Sequence, residues 1–138
     1  MSAVIKQASP STMVIGVEPY GADSMTRSLD AGAPAKLDKI ATIADSLAPP
    51  YALPYSFGLV QSHVDEMVRI DDDAMRSGMR LIFDHFKMAV EPACAAAASA
   101  VLVCGLKERF HGKQIGILFC GSNIDLQSAS DIMHGRIA

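Results

Sequence analysis

The clearest chemistry in the sequence lies near its C-terminal end, where Cys120, Gly121, Ser122 and Asn123 close the apolar run Gln114–Phe119. The run reads as a buried strand that stops on a thiol, a glycine and two small polar side chains. A thiol is a weak donor and weak acceptor, and the hydroxyl and amide add stronger groups beside it. Gly121 leaves the backbone free to come close to a ligand. Two readings of Cys120 stand side by side: a thiol that hydrogen-bonds a ligand, and a small packing residue. A nucleophile is disfavoured, because no cation lies nearer along the chain than Lys113.

Two carboxylates ask for the same scrutiny. Glu18 ends the apolar run Met13–Glu18, just before Pro-Tyr-Gly-Ala-Asp-Ser. It can hold a cation with turn carbonyls, or cap a helix or turn. Glu91 precedes Pro92 and can cap its own helix or face a cleft. His63, His85, His111 and His134 are scattered without metal-ligand spacing and read as surface or packing residues. No GxSxG, no Gly-rich phosphate loop and no HExxH is present. Residue types alone thus reach a ligand-binding part of an α/β sheet and no complete catalytic apparatus.

These residues must be positioned by a chain of 138 residues with net charge −3, half hydrophobic and 20% charged. Such a length suits one domain that buries roughly 70% of its unfolded surface. Basic residues form no long run, so nucleic acid is not expected as a partner. Apolar stretches are too short to span a bilayer, and the N-terminus shows no signal peptide; a cytoplasmic protein is expected. The three cysteines form no CxxC pair, which disfavours both a disulfide framework and a zinc site. Cys94 and Cys104 are expected to be buried.

Pattern and punctuation predict the elements. Met13–Glu18 and Glu66–Ile70 read as strands, and Tyr55–Val64 as a helix. Asp23 is expected to cap a short helix that stops at Gly32. Four prolines between Ala33 and Pro54 enforce a loop that crosses the surface or lines a site. Asp71 or Asp72 caps a helix whose Met75, Met79, Ile82, Phe83 and Phe86 share one face and pack in the core. Pro92 opens an alanine-rich helix that runs on towards Lys107 and Arg109 and can approach a neighbour closely. Gln114–Cys120 is a strand, and Asp125 starts a last helix through Ile132. Apolar strands among helices imply an α/β fold, a mostly parallel sheet flanked by helices. Ligands then bind beyond the strand carboxyl ends, so Glu18 and Cys120 are expected on one sheet edge.

Five segments, VIGVEPYGADSM, LDKIATIADSLA, HVDEMVRIDDDAM, KMAVEPACAAAASAVL and ILFCGSNIDL, occur in the order and spacing of a known family. The chain resembles, from about Met1 to Asp125, pyridoxal-phosphate-dependent serine/threonine dehydratases. These have the tryptophan-synthase-β-like fold (fold type II) and include serine racemases. The resemblance implies pyridoxal 5′-phosphate as cofactor, with Cys120 hydrogen-bonded to its pyridine nitrogen and Gly121, Ser122 and Asn123 beside it. Ser122 stands where the usual pattern has a second glycine. Ser46, in place of a common glycine, borders the cofactor, and Glu91 faces its region. Glu18 and the carbonyl of Ala22 match ligands of a mono- or divalent cation, while Ser24 stands where metal-binding members often carry an aspartate.

None of Lys6, Lys36, Lys39, Lys87, Lys107 or Lys113 matches the family's cofactor lysine, and the phosphate cradle is not matched either. The resemblance therefore implies that residues 1–138 are a single partial domain, the C-terminal part of the large cofactor-binding domain. The expected activity is β-elimination from L-threonine or L-serine to a 2-oxo acid and ammonia. The expected partners are a small amino-acid substrate and either further copies of the chain or an upstream half of the same enzyme. Two alternatives stay open: an inert truncated chain or assembly partner, and a racemase or lyase acting on another 3-hydroxy amino acid.

Overall fold

The computed structural model describes residues 1–137. The chain runs through α1 (Ser2–Ala8), β1 (Ile15–Pro19), α2 (Ser24–Ala31), α3 (Pro54–His63), β2 (Glu66–Ile70), α4 (Asp72–Phe86), α5 (Pro92–Leu102), α6 (Leu106–Arg109) and α7 (Leu126–Met133). Short 3-10 turns cover Tyr20–Ala22 and Asp45–Leu47. β1 and β2 pair in parallel, from Ile15 opposite Glu66 to Pro19 opposite Ile70. Helices α2 and α3 lie in the crossover between them, as parallel pairing requires a long connection.

The alanine-rich α5 is the centre of the packing: it lies against α4 and both strands. Its Ala95, Ala98 and Ala100 are buried with Ile70, Met75, Met79 and Ile82. Where α4 crosses α5, Gly78 meets Ser99. A Cβ at position 78 would overlap the Ser99 hydroxyl and lie 3.1 Å from its Cβ and 3.3 Å from its Cα. Glycine there sets how close the two helices come. Asp71 caps α4 by accepting the Ala74 N–H at 2.7 Å, and Asp125 caps α7 by accepting the Ser128 N–H at 2.9 Å. Gly32, at φ 68°, ends α2 in the left-handed region.

Several expectations are corrected. Gln114–Cys120 belongs to no strand among the described residues. Ile117 and Phe119 pack on the core, yet the backbone of this run has no neighbouring strand to complete a ladder. Glu18 and Cys120 therefore do not end strands of one sheet here. The alanine-rich helix stops at Leu102, and Gly105, at φ 85°, turns the chain into the separate α6. The α4 stripe is buried only through Ile82; Phe83 and Phe86 are exposed, with the Phe86 ring 6.3 Å from that of Phe119. Cys94 is buried, but Cys104 is exposed. The proline-rich loop is tied down, with Leu37, Ile43, Ala44 and Ala52 buried and Lys36 bridging to Tyr51. Helix α1, absent from the sequence reading, packs on α3. Among the described residues no helix is long and apolar enough to cross a membrane.

Candidate functional site

From Ile117 to Cys120 burial alternates, with Ile117 and Phe119 packed on the core and Leu118 and Cys120 exposed. The Cys120 thiol thus sits on the face turned away from the core. At Gly121 the chain meets the start of α5: the Glu91 N–H donates to the Gly121 carbonyl at 3.3 Å. Glu91 has the extended backbone of an N-cap (φ −74°, ψ 159°), but its side chain makes no capping bond. It lies over Gly121 instead, so a Cβ there would come within 2.7 Å of the Glu91 Cδ and closer still to Oε1. Glu91 thus does not cap its own helix with its side chain and lies against Gly121. Ser122 and Asn123 are exposed beside it, and the Ser122 carbonyl accepts the Ile124 N–H at 2.9 Å.

Ser46 is exposed in the 3-10 turn that packs on α5. Its N–H donates to the Asp45 carboxylate at 2.8 Å. The loop leading to it is held by Asp72, which accepts from the Thr42 hydroxyl at 2.7 Å and the Ile43 N–H at 3.0 Å. That clamp was not visible in the sequence, where Asp72 read only as a competing cap.

Glu18 is buried, and its carboxylate is the cap of α2. Oε1 accepts the Met25 N–H at 2.9 Å; Oε2 accepts the Thr26 N–H at 2.9 Å and the Thr26 hydroxyl at 2.7 Å. Asp23, the expected cap, makes no capping bond. Its carboxylate accepts from Arg27 Nε at 2.7 Å and Arg69 Nη1 at 3.0 Å. Burial pushes the Asp23 carboxyl up, and the Arg69 and Arg27 guanidiniums more than offset this, holding it below the usual carboxylate range. Ala22 and Ser24 are buried beside it. Sequence reasoning missed Arg69 altogether; only the β1–β2 register puts it opposite Glu18. The i,i+4 spacing of Asp23 and Arg27 was a signal that could have been read.

The family model described as "Pyridoxal-phosphate dependent enzyme" matches residues 1–121. The chain belongs to that family. It is 48% identical over 125 residues to a phenylserine dehydratase of Ralstonia pickettii, covering 91% of this chain and 38% of the relative. It is 31% identical over 131 residues to a serine racemase of Dictyostelium discoideum, covering 94% and 40%. Among solved structures it superposes on threonine deaminase isoform 2 of Solanum lycopersicum with a TM-score of 0.89 at 29% identity, covering 96% of this chain and 39% of that one. Maize serine racemase gives a TM-score of 0.83 at 31% identity, covering 99% and 44%. The chain thus spans about two-fifths of the length of the curated relatives it matches. The α/β fold with its parallel pair is that of fold type II over this part.

Pyridoxal phosphate is the cofactor of the family to which the chain belongs, and the residue types at the Cys120 tip are compatible with that group. It presents a thiol on an exposed face, a hydroxyl and an amide beside it, and a glycine closely overlain by a carboxylate. The cation donor set does not fit in the same way. Both Glu18 oxygens are engaged by α2, and no group of three or more His, Cys, Asp or Glu suited to a metal occurs among the described residues.

Proposed function

We propose that the chain forms the ring-nitrogen side of the active site of a dehydratase acting on a 3-hydroxy amino acid. The net change is to a 2-oxo acid and ammonia. The observation that carries this reading is the meeting of Cys120–Gly121 with Glu91, in a chain 48% identical to a phenylserine dehydratase. When bound, the cofactor supplies an electron-withdrawing ring that eases loss of the substrate α-proton. Cys120 Sγ would hold the pyridine nitrogen through a hydrogen bond. A thiol partner there would leave that nitrogen largely without a proton, which would suit elimination better than a carboxylate partner. Ser122, Asn123 and Ser46 offer uncharged hydrogen bonds around the ring, and Glu91 places a carboxylate at the same tip. Residues 1–138 act as the C-terminal part of the large cofactor-binding domain.

The identity to the phenylserine enzyme favours an aryl 3-hydroxy substrate over L-threonine or L-serine. The exposed Ile115 and Leu118, on a run whose backbone has no ladder partner, support assembly with an upstream half or with further copies. Three cysteines left free of disulfides fit a reducing, cytoplasmic setting.

The test is release of 2-oxo acid, read as its hydrazone, by the protein that carries this chain, with phenylserine, L-threonine and L-serine. Release that needs pyridoxal phosphate and is fastest with phenylserine is expected, while the 138-residue chain alone releases none. A cofactor-loaded protein that releases no 2-oxo acid from any of the three, or only interconverts the serine enantiomers, overturns the reading.

A further inference from the structure

The turn between β1 and α2 carries a charge arrangement that differs from a cation site. Two carboxylates, Glu18 and Asp23, are buried within it. The first has three donors, all from Met25 and Thr26 in the first turn of α2, so the positive end of that helix already compensates its charge. The second has one donor from each of two guanidiniums, Arg27 and Arg69. Arg69 also lies over the Tyr20 ring, 5.3 Å from its centroid. Two negative charges are thus met by two positive side chains and a helix end.

A hard divalent cation wants six or more oxygen ligands and net negative charge around it. Here it would have to share Glu18 with the α2 N–H groups and sit beside Arg69 and Arg27. The third matching position offers only the neutral Ser24 hydroxyl, and Ser24 is itself buried. Repulsion by two guanidiniums and the shortage of anionic ligands both act against the ion.

We propose that these residues do not hold the cation that the resemblance implies: Arg69 ties the 20–24 turn to β2 through Asp23, and the protein carrying this chain does not respond to divalent cations. Arg69 is a positioning residue here. The proposal rests on the family match and not on the substrate or the activity, because its readouts are ion binding and melting rather than turnover.

The experiment is Mn2+ titration of the protein that carries this chain, followed by electron paramagnetic resonance, with melts in EDTA, MgCl2 and CaCl2. The unsubstituted protein is expected to show no saturable Mn2+ and an unchanged Tm. A filled site at 100 times its dissociation constant would instead raise Tm by roughly 5–10 °C. Arg69→Met keeps the side-chain stem, leaves Asp23 short of one donor, and is expected to lower Tm by roughly 5 °C. Arg69→Ala combined with Ser24→Asp is expected to gain a Tm that rises with Mn2+. Saturable Mn2+ binding by the unsubstituted protein that Glu18→Gln abolishes would overturn the proposal, and that titration does not depend on how any variant folds. An Arg69→Met melt equal to the unsubstituted one, or a double variant indifferent to Mn2+, would overturn the assignment to Arg69.

Discussion

Gly121→Ala places a methyl group where the Glu91 side chain lies. The new Cβ would stand within 2.7 Å of Cδ and 3.1 Å of Cγ, with Oε1 nearer still. Ordinary carbon contacts begin at about 3.5 Å, so the carboxylate must retreat by roughly 1 Å. The backbone cannot give easily, because the Glu91 N–H is bonded to the Gly121 carbonyl. The side chain therefore moves, at a cost of about 1 kcal/mol, the lower end of what overpacking demands. Glu91→Ala alone should cost less than about 0.5 kcal/mol, since the side chain is half-buried and makes no capping bond. The double variant loses every clashing atom, so the two changes should couple favourably by about 1 kcal/mol. Urea unfolding of the four proteins measures that coupling, and cofactor absorbance reports the site. Gly121→Ala alone should retain less pyridoxal phosphate, because the displaced carboxylate moves at the tip that meets the ring. If the two effects simply add, Glu91 does not lie on Gly121 in solution, and the meeting point on which the site reading rests is wrong.

Three further outcomes are expected. Cys120→Ser should keep most activity and Cys120→Ala should retain cofactor more weakly by about 1 kcal/mol, the worth of one hydrogen bond. Cys120→Asp should be the worst of the three for 2-oxo acid release, and serine proving as harmful as aspartate would refute the neutral-partner argument. The Arg109 guanidinium, bonded twice to Glu66 at 2.6 Å, holds the Glu66 carboxyl below its ordinary 4.5. A depressed folded value means stability that is present above 4.5 and lost as pH falls through the folded value. The urea midpoint of the unsubstituted protein should therefore approach that of Glu66→Gln only below that pH, and a gap constant from pH 7 to pH 3 would contradict the ion pair. Gly78→Ala should destabilise by about 1–2 kcal/mol, the overpacking against Ser99 less the gain in helix propensity. Adding Ser99→Ala should recover much of that in thermal melts, and no recovery would mean that α4 and α5 cross elsewhere.

What the sequence determined by itself lies in short-range pattern. EMVRI marked β2 at both ends, Gly32 marked the end of α2, and Asp71 and Asp125 marked the starts of α4 and α7. Each depends on residues within a few positions, where backbone preference and capping act. Five motifs in order were enough to place the chain in its family. Tertiary structure decided the rest, because the partners are distant along the chain. Arg69 reaches Asp23 across 46 positions, and only the parallel register of β1 and β2 sets it opposite Glu18. Glu91 turned from a cap into a neighbour of Gly121 because α5 begins where the Cys120 run ends. Glu18 became a cap because the turn after β1 brings the start of α2 back onto it. The apolar run Gln114–Cys120 read as a buried strand, yet only its Ile117 and Phe119 pack on the core. It could not encode a strand, because a strand exists only where a second backbone lies alongside to receive its hydrogen bonds.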